Sequence, residues 1–150
     1  TEAAAREFAR LAELLRKWGE DPQKTAHFLI RMLFCLFAED IGLLPEQLFS
    51  RLITRTRAKP AAFAQQLRQL FEAMATGGWF GSDEIRYFNG RLFDNADVLE
   101  LDSDGLDILV QVGVSKTKHR IAHGLQGRLT RCIVCQFGIR RMCRAVDLNN

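Results

Sequence analysis

Apolar residues recur at spacings of three and four over residues 2–18, where Phe8, Leu11, Leu14, Leu15 and Trp18 stand among Arg and Glu. That spacing matches the helical repeat and predicts an amphipathic helix with one inner stripe. Gly19 suits the position just past its end, Asp21 suits an N-cap, and Pro22 suits the first turn of a second helix over about 22–40. The centre of that second helix, Phe28 to Ala38, is apolar on nearly every face, which predicts burial on most faces. Pro45 is expected to open a short third helix to about Thr56, with Phe49, Leu52 and Ile53 inward. Pro60 opens a fourth, with Phe63, Leu67, Leu70, Phe71 and Met74 on one face and Gly77-Gly78 as its stop.

Residues 79–102 lose the helical period. Trp79-Phe80-Gly81 and the run Tyr87 to Phe93 place aromatics around glycines, which predicts an ordered loop with a short strand or hairpin. Ser103 is positioned to cap a last helix over about 104–112, with Leu106, Leu109 and Val110 inward. After Val114 no segment is convincingly amphipathic, and glycines fall at 124, 127 and 138. The fold class that follows is mainly α: an irregular multi-helix bundle of about five helices, with an aromatic and glycine-rich loop or hairpin near 79–101.

Composition sharpens the division at 114. Residues 116–150 carry eight Lys or Arg against Asp147 alone, a net +7, whereas 1–115 carry 13 basic and 17 acidic residues, a net −4. We therefore divide the chain into a helical domain, 1–114, and a basic tail containing Cys and His, 115–150. The 11 Phe against one Tyr and two Trp favour core packing over a polar aromatic surface. No apolar run reaches the roughly 18 residues of a membrane span, and the N-terminal residues do not have the form of a secretory signal. Four Cys without that context point to a reducing, cytoplasmic setting.

Three places carry candidate chemistry. Glu39 and Asp40 are paired carboxylates, yet adjacent helical residues diverge by about 100 degrees and do not share a face. They are expected to bond nearby backbone, or an arginine such as Arg31 or Arg91, rather than to act as an acid–base pair. In Phe88-Asn89-Gly90-Arg91-Leu92-Phe93, Asn-Gly favours a tight turn flanked by aromatics that plug the core, and Arg91 is a candidate phosphate contact. In the tail, His119, His123, Cys132 and Cys135 are spaced as a zinc set would be, in the reverse of the usual finger order. Arg128, Arg131, Arg140, Arg141 and Arg144 are candidate nucleic-acid contacts, without the interleaved aromatics of a stacking surface. The blander readings are a solvated tail and residues with no joint role. No glycine-rich nucleotide loop, nucleophile elbow or Asn-Pro-Pro-Tyr tetrad occurs, so no catalytic residue and no cofactor site is assigned.

Phe28 to Leu44, then Leu67-Arg68-Gln69-Leu70-Phe71, then Phe88 to Phe93 with Leu99 and Leu101 beyond, resemble in order and spacing the helical spacer of MmeI-type single-chain restriction–modification methyltransferases. The resemblance covers roughly residues 5–112. It departs from the family pattern at Arg91, where a second glycine is usual, and from Ser115 onward, where the usual lead into the methyltransferase domain is replaced. The second departure, with the change of charge at the same place, suggests a truncated gene or a reading-frame change near residue 113.

What the resemblance implies is a non-catalytic spacer that links and positions a nuclease and an adenine-methyltransferase domain, reaching DNA through the parent protein. S-adenosylmethionine and Mg would belong only to the parent's other domains. The alternative from the residues alone is a small DNA-binding module using the basic tail, with or without zinc. A free-standing enzyme is disfavoured by the lack of convergent polar residues.

Overall fold

The computed structural model describes residues 2–88 and 91–123, with side chains described through Val114. Helix α1 spans Glu2–Lys17 and buries Leu11 and Leu15. Its end is a Schellman motif: Gly19 takes φ 80, its N–H donates to Arg16 at 3.1 Å, and the Glu20 N–H donates to Leu15 at 3.2 Å. Trp18, expected in the inner stripe, is exposed because it lies beyond the last helical turn, where the chain is already leaving the core.

Helix α2 spans Pro22–Asp40. Asp21 caps it, with Oδ1 accepting from the Lys24 N–H at 2.9 Å, and Pro22 fills the first turn, where a missing N–H costs nothing. Met32, Cys35 and Ala38 have no exposed surface, and Phe28, Phe34 and Leu36 are buried beside them. Leu33 is the exception, exposed on the solvent side. At the exit, the N–H groups of Leu43 and Leu44 both donate to the Ala38 carbonyl, which turns the chain over Gly42, at φ 73, and seats Leu44 in the core.

Helix α3 spans Leu48–Thr56 rather than starting at Pro45. Pro45 opens a turn instead, its carbonyl accepting from the Leu48 N–H, and Gln47 adopts a left-handed φ of 54 that no helical residue can hold. Phe49, Leu52 and Ile53 point inward as expected. Helix α4 spans Pro60–Thr76 and buries all five residues of its predicted stripe. Gly77, at φ 76, ends it.

Strands β1, Gly78–Phe80, and β2, Asp83–Ile85, form an antiparallel hairpin that pairs Trp79 with Glu84. This is the hairpin expected near 79–101, and it is complete before the second aromatic run begins at Tyr87. Phe88 then enters the core and its N–H donates to the Met74 carbonyl at 2.9 Å. The Asn89-Gly90 turn lies outside the described residues. A 3-10 turn, Arg91–Phe93, follows.

The last helix, α5, spans Ser103–His123 and therefore continues past the expected end near 112, across the point where the charge changes. Lys, Arg, Ala and Ile between 116 and 122 include good helix formers, so the backbone needs no apolar stripe to propagate. Its cap is Asp102, not Ser103: Oδ1 of Asp102 accepts from the Gly105 N–H at 2.8 Å. Leu106, Leu109 and Val112 are buried, while Val110 is only partly so. Helix α5 packs chiefly on α1 and also on α3, whereas α2 and α4 hold the 3-10 turn between them. Among the described residues one apolar core joins the five helices. Among the described residues no helix is long and apolar enough to cross a membrane.

Candidate functional site

The most apolar stretch of the chain holds one charge, Arg31, which is 1 % exposed. A guanidinium there must be hydrogen-bonded on all sides or it would cost several kcal/mol, about what a lone buried ion costs after relaxation. The 3-10 turn and the loop after it supply the partners. Nε donates to the Leu92 carbonyl at 2.6 Å, Nη1 to the Asp97 carbonyl at 2.9 Å, and Nη2 to Oδ1 of Asn95. The guanidinium carbon also lies 5.5 Å from the Phe71 ring centre, within cation–π range. Arg31 thus ties α2 to residues 92–97 and to α4. Burial lowers its pKa from the ordinary arginine value, with Asp97 opposing that shift.

Beneath this clamp the loop is anchored by rings. Phe93 stands 5.4 Å from Phe71 and 5.6 Å from Phe34, and Phe88 stands 5.5 Å from Phe34 almost perpendicular to it. Such edge-to-face pairs add about 0.5–1.5 kcal/mol each beyond the buried area. The expected aromatic plug is therefore present, with Phe88 and Phe93 as its two pins.

Glu39 also has a structural role. Its carboxylate accepts from the backbone N–H groups of Phe49 and Ser50, each at 3.1 Å, and from the Ser50 hydroxyl at 2.5 Å. These are the second and third residues of α3, whose own N-cap residue, Gln47, makes no side-chain cap. Glu39 caps α3 from the end of α2, which agrees with the expectation that it bonds nearby backbone, though the partner is a different helix rather than Arg31 or Arg91. Burial, and after it the Glu39 charge, hold the Cys35 thiol well above the ordinary thiol range, so it stays protonated and unreactive.

Among the described residues two surfaces stand out as open. Trp79 on β1 is 70 % exposed and Tyr87 after β2 is 55 % exposed, two large aromatics at the hairpin that the core leaves out. Separately, a cleft of about 510 Å³ opens between the first turns of α2, residue 68 of α4 and the loop 95–99. Lys24, His27 and Arg31 line it from one face of α2, Arg68 joins them, and Asn95 and Asp97 stand opposite. Burial, followed by the Arg31 charge, lowers the His27 pKa from its ordinary 6.5, against an opposing effect of Asp97.

Of the site residues read from the sequence, Arg91 is exposed on the 3-10 turn and does not line the cleft. His119 and His123 fall on the last turns of α5, where only the backbone is described. Cys132, Cys135, Arg128, Arg131, Arg140, Arg141 and Arg144 lie outside the described residues. The sequence reading missed the Arg31 clamp and the basic cleft. The signal for the first was a lone arginine in an otherwise apolar helix; for the second it was Lys24, His27 and Arg31 at helical spacings of three and four.

Residues 23–93 match the family described as MmeI, helicase spacer domain. The match begins in the first turn of α2 and ends on Phe93, so it takes in the Arg31 clamp's helix, the Glu39 cap and both aromatic pins, and it is the family whose spacer the sequence resembles. Comparison with the curated proteins and with the solved structures yields no match.

Proposed function

We propose that this chain is a non-catalytic spacer of an MmeI-type restriction–modification protein, linking a nuclease domain to an adenine-methyltransferase domain and fixing the distance and angle between them. The observation that carries this reading is the match of residues 23–93 to the MmeI spacer. The hydrogen bonds that join its elements support it. A spacer transmits geometry only if its helices cannot slide, and here α2 is tied to the 92–97 loop by Arg31 and to α3 by Glu39. On this reading Trp79 and Tyr87 are the contact surface for the methyltransferase domain. Exposed Trp and Tyr, one on the short hairpin and one two residues after it, are the residue types enriched in interfaces. S-adenosylmethionine and Mg would be bound by the neighbouring domains, and DNA would be met through the parent protein.

The test has two measurements. The purified chain is assayed for methyl transfer from S-adenosylmethionine to DNA and for DNA cleavage. Neither activity is expected, and either would overturn the reading. The chain is also co-expressed with the methyltransferase domain of an MmeI-type enzyme and analysed by size exclusion with light scattering. A one-to-one complex that Trp79→Ser with Tyr87→Ser weakens supports the hairpin as the contact; a complex indifferent to both removes that assignment.

A further inference from the structure

The cleft at the start of α2 has a charge pattern that packing does not require. Lys24, His27 and Arg31 lie on one face of the helix, Arg68 reaches the same space from α4, and Asp97 is the carboxylate opposite. With His27 neutral, the wall carries three positive charges and one negative. Arg31 is the built part of this wall. It is buried, and its hydrogen-bond partners are two carbonyls and an amide oxygen, all neutral. It makes no ion pair among the described residues. Each of its three guanidinium nitrogens donates to one of these oxygens. Asp97 and Asp94 act on Arg31 from nearby without pairing with it, so Lys24, Arg31 and Arg68 together leave a net positive potential in the cleft, which low-dielectric walls focus. Burial first and the Arg31 charge second lower the His27 pKa, and the second effect is consistent with this field.

We propose that this cleft binds a phosphate group through the exposed Lys24 and Arg68, with the buried Arg31 adding its charge from beneath, and that the group it takes is a phosphodiester of a nucleic-acid backbone. Arginine and lysine together suit such a ligand: the fork fixes orientation and the ammonium adds a mobile charge. The inference rests on the cleft's own residues and stands whether or not the chain is a spacer.

The experiment follows the His27 ring signals by NMR in the full chain, assigned by comparison with His27→Gln, during titration with inorganic phosphate and, separately, with a short DNA duplex. The same titrations are run on the double variant Lys24→Gln with Arg68→Gln; both side chains are exposed, so the fold should persist, and circular dichroism checks that it does. Anisotropy of the labelled duplex gives affinity against salt. The expected result is a saturable shift of the His27 signals by duplex, lost in the double variant, with the slope of log affinity against log salt reduced by about one per phosphate contact removed. Saturation by phosphate but not by duplex keeps the phosphate site and assigns it to a free anion. Duplex binding that leaves His27 unmoved and the double variant unchanged places the binding elsewhere and overturns the proposal, as does the absence of any shift with either ligand.

Discussion

Nε of Arg31 donates to the carbonyl of Leu92 at 2.6 Å, joining residues 61 positions apart in the chain. The bond matters because the guanidinium sits in the most apolar helix, where each of its donors needs an acceptor, and the carbonyl belongs to a single short 3-10 turn. Replacing Arg31 with Leu leaves two carbonyls and the Asn95 amide oxygen without their donor. We expect a loss of about 3 kcal/mol in unfolding free energy, since hydrogen bonds from a charged group are worth about 1.5–3 kcal/mol each and overlap in one side chain. Urea unfolding measures it. Amide exchange over residues 91–98 should accelerate more than exchange in α4. Arg31→Lys should recover less than half of the loss, because one ammonium cannot reach three acceptors spread along a fork. An Arg31→Leu chain as stable as the parent would remove the clamp from the account.

Glu39 supplies the cap that α3 lacks in its own sequence. Glu39→Ala should destabilise by about 2–3 kcal/mol, more than an ordinary surface cap, because the acceptor is buried and takes three donors. Introducing Asp at position 47 should not restore it, since Gln47 is left-handed rather than extended, which is the geometry a local cap requires. Thermal unfolding of the single and double variants tests both statements.

The lowered pKa of His27 makes stability depend on pH in one direction. Its folded form resists protonation, so the unfolded chain binds more protons between the lowered value and the ordinary 6.5. Stability is therefore intact above the ordinary value and falls as pH drops through that window. His27→Gln should flatten the part of the decline between about pH 7 and pH 5 that His27 causes. Urea unfolding across that range in both proteins measures the difference. A steeper decline in the variant would contradict the sign.

Cys35 has no exposed surface, lies 3.8 Å from the Met74 sulfur, and is held protonated. In the folded chain at neutral pH, a thiol-alkylating reagent should leave Cys35 unmodified over hours, with full modification once denaturant is added. Peptide mapping by mass spectrometry reads this residue separately from the other cysteines. Rapid labelling without denaturant would show that α2 and α4 open locally far more readily than their packing implies.

The parts of the fold legible in the sequence were those governed by neighbours along the chain. The α4 stripe from Phe63 to Met74 was visible because helical period alone sorts those side chains to one face. Gly19, Asp21, Pro22 and Gly77 marked boundaries because caps and positive φ are set by one or two local residues. Boundaries failed where a distant group supplied what the local sequence lacked. Pro45 looked like a helix start, yet α3 begins three residues later under a carboxylate ten residues upstream of Phe49. Val112 took the fully buried place on α5 and Val110 a partly buried one against the same core, a choice made by how α5 lies on α1 and α3.

The sequence by itself determined that this chain is a helical bundle with one strongly buried helix and an aromatic loop, and its residue order was enough to suggest the MmeI spacer. Only the tertiary structure decided what the charges inside it do. Arg31 and Glu39 are eight residues apart on one helix, and nothing local shows that one holds a loop more than 60 residues away while the other caps the next helix. Period and propensity act over a few residues, whereas a buried charge is satisfied by whichever polar groups the packing brings within about 3 Å, and that selection is made by the folded chain as a whole.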